Sequence, residues 1–161
     1  TEFAFEELRL DGTERLELSI VAQEYDRTFL KKFIITRTIG KTKLDEQGFA
    51  YNFYIAEEIF FIDVLKKISN AYTGTPSEII KNVFTSEFNK ELKLIGKPSA
   101  QAAFTYISPF ISPLSVIETI RKRSSDRNGY PFFVYATLKE DRIRMKSLSD
   151  MIETDPINGI P

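Results

Sequence analysis

The spacing of apolar residues changes period about a third of the way along the chain. Leu16, Leu18, Ile20 and Ala22 alternate with Arg15, Glu17 and Ser19, and Tyr51, Phe53 and Ile55 repeat the same period of two. Successive side chains of a strand point to opposite faces, so this alternation predicts half-buried strands. Further on, Phe61, Val64, Leu65, Ile68, Ala71 and Tyr72 recur at intervals of three and four, the spacing of one helix face. Strands followed by helices, with strands again at the end, predict an α+β fold.

Breaker residues divide this pattern into three segments. In residues 1–57, two extended stretches, 4–10 and 14–23, flank the tight-turn pair Asp11-Gly12. Phe33, Ile35 and Ile39 follow on one strand face, with Arg37 as its single charged interruption, and the turn signal "DEQG" leads to Tyr51. The expectation is a small antiparallel β-barrel or sheet. Residues 58–100 predict a short helix pair joined at Gly74. The first helix buries Phe61, Val64 and Leu65. The second starts at Thr75-Pro76-Ser77-Glu78, where proline suits the first turn and Glu78 completes a capping box. Ile79, Ile80, Val83, Phe84 and Phe88 supply its buried side, and "KELKLIGKPSAQ" reads as a polar connection.

Residues 101–161 predict a strand at "AAFTYI", a helix capped by Ser112 with Pro113 in its first turn, and a β-hairpin beside it. Leu114, Ile117 and Ile120 face inward. Arg121, Lys122 and Arg123 sit at the helix end, where the dipole favours cations. In the first hairpin strand Phe132, Val134, Ala136 and Leu138 alternate with Phe133, Tyr135 and Thr137. Both faces are apolar, so the strand is expected to be covered on both sides. After the turn Lys139-Glu140-Asp141, Ile143 and Met145 alternate with Arg142 and Arg144, giving one wet face. Ser147 or Ser149 caps a closing helical turn around Leu148, Met151 and Ile152. A start at Thr1 and the turn-rich end "DPINGIP" predict a portion of a longer polypeptide.

Residue types narrow the available chemistry. The 161 residues contain no histidine and no cysteine. Imidazole bases, thiolate nucleophiles and the usual zinc ligands are therefore excluded, leaving carboxylates, lysines and hydroxyls. Twenty-two basic and 23 acidic residues leave a net charge of −1, so no overall field gathers nucleic acid. "GKT" at residues 40–42 lacks the glycine five positions earlier that a phosphate loop needs, because Ile35 stands there. Glu57, Glu58 and Asp63 are candidate hydrolytic carboxylates. Acids at a helix start also complement its dipole, and that reading is favoured. The cluster "IRKRSSDR" has no interleaved aromatic, which favours a solvated helix end over strand recognition. Arg142 and Arg144 are candidate interface residues, since arginine is enriched where surfaces meet. No residue is assigned a catalytic, cofactor-binding or metal-binding role, and no cofactor is expected.

The order of segments resembles the central hub proteins of phage contractile-tail baseplates and related tail-tip structural proteins. The similarity is concentrated in "SPLSVIETIRKRSSD", "YPFFVYATLKEDRIRM" and "KSLSDMI". Within it, Pro131, Phe132, Phe133, Tyr135 and Thr137 match the family's strand, and Ser147, Leu148 and Met151 or Ile152 its closing helix. "YNFYIAEEIFFIDVLKKISNAYTGTPSEIIKNVF" is similar to the family's strand and two helices. Ala136 departs from a common acid, and Lys139-Glu140-Asp141 from a common glycine turn. The resemblance implies a non-enzymatic virion component, assembled in the host cytoplasm, that forms a homotrimer. It would contact the tail tube protein and the central spike protein, with no small-molecule substrate and no membrane in the resting particle. Two other readings are a carboxylate-dependent cell-wall glycoside hydrolase and a cytoplasmic protein-binding module that uses an exposed strand edge.

Overall fold

The computed structural model describes residues 14–22, 27–43, 49–137 and 142–153. The predicted strand 4–10, the turn Asp11-Gly12, the turn at 45–48 and the turn Lys139-Glu140-Asp141 lie outside these residues. The protein is mixed α+β, with several antiparallel strand pairings and four helices among the described residues. It divides into two compact units, Thr1–Ile62 and Asp63–Pro161.

The first unit holds three strands, β1 (Arg15–Ala22), β2 (Arg27–Lys43) and β3 (Phe49–Ala56), in the antiparallel order β1-β2-β3. Of the expected barrel or sheet, the described residues form an antiparallel sheet, and no closed barrel is detected among them. The register supplies the reason: β1 pairs with β2 from Arg27 to Ile34, whereas β3 pairs from Ile34 to Lys43. The two outer strands thus flank successive halves of one 17-residue strand, and no bond between them closes the sheet.

Two register shifts, between Ile35 and Arg37 and between Thr38 and Gly40, also change which side chains share a face. Each inserts an extra residue, and each such insertion reverses the parity that alternation assumes. Ile35 pairs with Ile55 and Thr38 with Phe53, so Ile39 leaves the face predicted for it and is exposed. Among the described side chains of β2, Ile34 is the buried apolar residue.

Helix α1 (Glu58–Leu65) ends earlier than its periodicity predicts. Ile59 is buried, while Phe61, Val64 and Leu65 are exposed, reversing the expected face. The chain leaves the helix because Ile68 bridges to Ile111 and residues 71–74 become β4 (Ala71–Gly74), paired with β6 (Phe104–Ile107). A strand therefore separates α1 from the next helix, and the two are not a pair joined at Gly74.

Helix α2 (Pro76–Phe88) starts where the sequence places it. The Glu78 carboxylate accepts bonds from the Thr75 amide at 2.8 Å and the Thr75 hydroxyl at 2.9 Å, which holds its pKa below the usual carboxylate range. Its apolar face buries Ile79, Ile80, Val83, Phe84 and Phe88 against Val116, Ile117 and Ile120 of α3 (Pro113–Lys122). The remaining core comes from a three-stranded sheet of order β5-β8-β7: β5 (Leu92–Ile95), β7 (Phe132–Ala136) and β8 (Ile143–Ser147). Leu92, Phe132, Ile143 and Met145 are its buried apolar residues. The short helix α4 (Leu148–Ile152) follows, and the Ser147 hydroxyl accepts from the Asp150 amide at 3.2 Å as the predicted cap.

Two features of this sheet differ from expectation. The "polar connection" contributes β5, which runs parallel to β8. The aromatic strand β7 lies at an edge with β8 in the centre; Phe132 is fully buried, whereas Phe133 is 42% exposed. Among the described residues it is therefore an edge strand and not an interior one.

Gly96 follows β5 with φ +87°, a conformation that L side chains rarely adopt, and an added Cβ would collide with the Asp150 carboxylate. Gly96→Ala is expected to cost roughly 1–2 kcal/mol through strain and displacement of α4. Chemical denaturation of the two proteins measures this loss; equal midpoints would contradict it.

Candidate interaction surfaces

The structure uses the candidate carboxylates as structural partners. Glu57 pairs with the buried Lys31 at 3.5 Å, and Glu58 with Arg15 at 2.9 Å, so adjacent acids engage cations on different strands. Asp63 accepts the Leu114 amide at 2.6 Å, satisfying one of the donors left open in the first turn of α3. Gly40 and Thr42 lie within β2, where no helix N-terminus follows among the described residues. Each of the three candidate acids is thus engaged by a structural partner of its own.

The basic cluster is similarly engaged. Arg121 forms two bonds of 2.7 Å with Glu118, which lowers the Glu118 pKa, and donates a third of 3.0 Å to the Phe132 carbonyl. This arginine fastens α3 to the start of β7. Lys122 approaches the same carboxylate at 3.6 Å. Arg142 pairs with Glu91 at 3.1 Å, and Arg144 lies on the sheet face opposite the core.

A polar cavity of about 110 Å³ lies at α4, lined by Lys97, Asp126, Arg127, Asn128, Ser147, Ser149 and Asp150. One Asp126 oxygen accepts the Asn128 and Tyr130 amides, each at 2.9 Å, and the other accepts the Ser149 hydroxyl at 2.6 Å. The Ser149 bond is the foremost reason that the Asp126 carboxyl titrates below its ordinary range. Ser147 donates to Asp150 at 2.8 Å. The Ser149–Asp126 bond ties the turn after α3 to α4, while the others order the turn and the start of α4, so the cluster organises the fold.

Large apolar side chains form a different kind of feature. Ser108 donates through its hydroxyl to the Ile68 carbonyl at 2.7 Å and through its amide to the Asn70 carbonyl at 2.9 Å. Ile68 in turn donates to the Ile111 carbonyl at 2.9 Å. Together with Asp63 and Leu114, these bonds clasp the segments around residues 63–70 and 107–114. Yet Val64, Leu65, Ile107 and Phe110 on these segments are 76%, 71%, 70% and 69% exposed. Phe110 also has φ +58°, a region costly for a bulky residue, so fixed backbone bonds hold it outward at the expense of local strain.

The wet face of the β5-β8-β7 sheet has a basic and aromatic composition. One row across it is Lys93, Arg144, Tyr135; the next is Ile95, Lys146, Phe133. No acid occurs among the residues of these three strands. Arg144 was legible as a candidate interface residue. Lys93, Lys146, Tyr135 and Phe133 join it only once β5 is recognised as a strand and the register is known. No helix among the described residues is long and apolar enough to cross a membrane. The chain matches no protein-family model, no curated protein and no solved structure at a significant level.

Proposed function

We propose that the chain is a structural component of a phage tail baseplate hub, adapting the tail tube to the central spike through oligomeric contacts. The observation that carries this reading is the exposure of Val64, Leu65, Ile107 and Phe110 on segments clasped by backbone and side-chain bonds. Large apolar groups held rigidly in water gain stability when another surface removes them from it. Permanent assembly interfaces have this character, resembling a core divided between partners. The strand, helix and closing-turn order that resembles hub proteins supplies the identity of the assembly. Oligomerisation would also account for the outward side of β7, where Phe133 is 42% exposed among the described residues.

The hydrolase reading draws less support, because Glu57 and Glu58 are held by separate cations. Quantitative mass spectrometry of purified tailed particles, from a phage encoding this chain, tests the hub reading. The expected result is a few copies per particle, localised by a tag at the tail base. Complete, infectious particles lacking the chain would reject it.

A further inference from the structure

The ribbon of β4 and β6 has an edge that the described residues leave open. Its register pairs Ala71 with Ile107, Tyr72 with Tyr106, Thr73 with Thr105 and Gly74 with Phe104. One step beyond, the Ser108 amide donates to the Asn70 carbonyl, which sets the phase of the alternation. Phe104 and Tyr106 therefore exchange bonds with β4, while the amides and carbonyls of Thr105 and Ile107 point away from it. Among the described residues no strand pairs with that edge, and the Thr105 and Ile107 side chains are exposed. Two-stranded ribbons are marginal by themselves. Strand edges are commonly guarded by charge, yet residues 98–117 carry no charged side chain in a chain that is 28% charged. Pro109, which has no amide hydrogen, ends the open edge at Ile107.

We propose that two copies of this chain pair through β6 about a twofold axis at Tyr106, making one four-stranded antiparallel sheet β4-β6-β6-β4. This inference rests on the assembly reading and names the edge through which it operates and the partner, a second copy. With Thr105 of one copy opposite Ile107 of the other, both amides and both carbonyls of each open edge find partners, so four backbone bonds form. Sliding the strands one way sets Pro109 against Thr105 and loses a donor; sliding them the other way carries Ile107 past the start of β6 at Phe104. One register therefore satisfies the whole edge. The edge is its own complement under a twofold axis, and such a contact is isologous. Because it is uncharged, like meets like without repulsion, and Ile107, 70% exposed in the single chain, packs beside Thr105. The exposed Phe110 lies on the same clasped segment, so edge and apolar surface belong to one contact.

The absence of cysteine makes the register testable in the full chain. Tyr106→Cys puts the two thiols on directly opposed positions, with Cα atoms about 4.5 Å apart and within disulfide reach. Thr105→Cys puts them diagonally, roughly 7–8 Å apart and beyond it. Under mild oxidation the first variant is expected to form a covalent dimer and the second to stay largely uncrosslinked. In sedimentation velocity at tens of micromolar, wild type is expected to be a dimer. Thr105→Lys combined with Ile107→Lys is expected to be a monomer, because like charges then stand opposed, and so is Thr105→Glu combined with Ile107→Glu. Their equimolar mixture is expected to restore the dimer. Circular dichroism verifies folding; if Tyr106→Cys is unfolded, the mixture decides. A monomeric or trimeric wild type, a folded lysine variant that dimerises, a mixture that remains monomeric, or equal cross-linking of the two cysteine variants would overturn the proposal. Such a result leaves the hub reading standing if the chain is found in particles. Absence from particles rejects the hub reading even if β6 pairs.

Discussion

Phe132→Ala is expected to destabilise the protein by about 3–5 kcal/mol, whereas Phe133→Ala should change stability by less than about 1 kcal/mol. The residues are neighbours on one strand and chemically identical. Their difference lies in what each faces: Phe132 is fully buried, while Phe133 points to water from the sheet edge. Truncating a buried ring removes its transfer free energy and leaves a cavity that close-packed surroundings fill only in part. Phe132 is also held at its backbone, where its carbonyl accepts Arg121. The core around it therefore has little freedom to collapse. Urea denaturation of the isolated chain provides the comparison. Equal losses for the two substitutions would mean that both faces of β7 are packed within one chain. If subunits cover the outer face, Phe133→Ala should instead weaken association, separating the two faces by experiment: one serves folding and the other assembly.

The same strand shows how far the sequence could be read. Alternating apolar residues on both sides of "FFVYAT" established a strand, and the charged turn with Ile143 and Met145 established its partner. Apolarity on both faces, however, indicates covering without saying whether the cover comes from the same chain. Strand β5 of the same sheet was missed because its four residues, Leu92–Ile95, include one lysine and lie between breakers. Its identity is fixed by parallel pairing with residues about fifty positions later, from Leu92 with Ile143 to Ile95 with Lys146. That contact is tertiary, and local periodicity carries no trace of it. Helix α2 was the opposite case. Thr75, Pro76 and Glu78 act through bonds and backbone preferences within one turn, so its start was legible from four residues.

Helix α1 shows a third outcome. The three-four spacing identified its type, but the residues taken for its buried face include three that are exposed. Periodicity detects an apolar stripe without distinguishing a core-facing stripe from one awaiting a partner. In β2 the limit was different again: one inserted residue reversed the parity and a second restored it, so the stretch between them changed face, which no composition signal announces. The basic and aromatic face could not be seen at all before registration, since its cations come from strands separated by about fifty positions.

Glu87→Leu is expected to cost roughly 2–3 kcal/mol at neutral pH and to remove much of the acid sensitivity of the second unit. Only 6% of the Glu87 side chain is accessible, yet it receives Lys66 at 2.7 Å, Ser86 at 2.9 Å and the Tyr72 hydroxyl at 3.3 Å. Burial by itself raises a carboxyl pKa. Here the Lys66 ammonium and the hydroxyl donors outweigh it and hold Glu87 below its ordinary value. Lys66 remains 42% exposed, so solvent screens part of the pair and keeps the cost below that of a fully buried ion pair. Because the native carboxyl is more acidic than the unfolded one, its contribution is present above the unfolded value near 4.5 and is lost as pH falls through the native value. Tyr72 acts at the other limit. Burial is the main cause that raises its pKa, so its contribution is present below about 10 and lost as pH rises through the elevated native value. Denaturation midpoints measured from pH 3 to 7 should therefore fall more steeply on acidification for wild type than for Glu87→Leu. Parallel curves would show that Glu87 contributes no linked proton, leaving its bonds as geometry without an electrostatic role in stability.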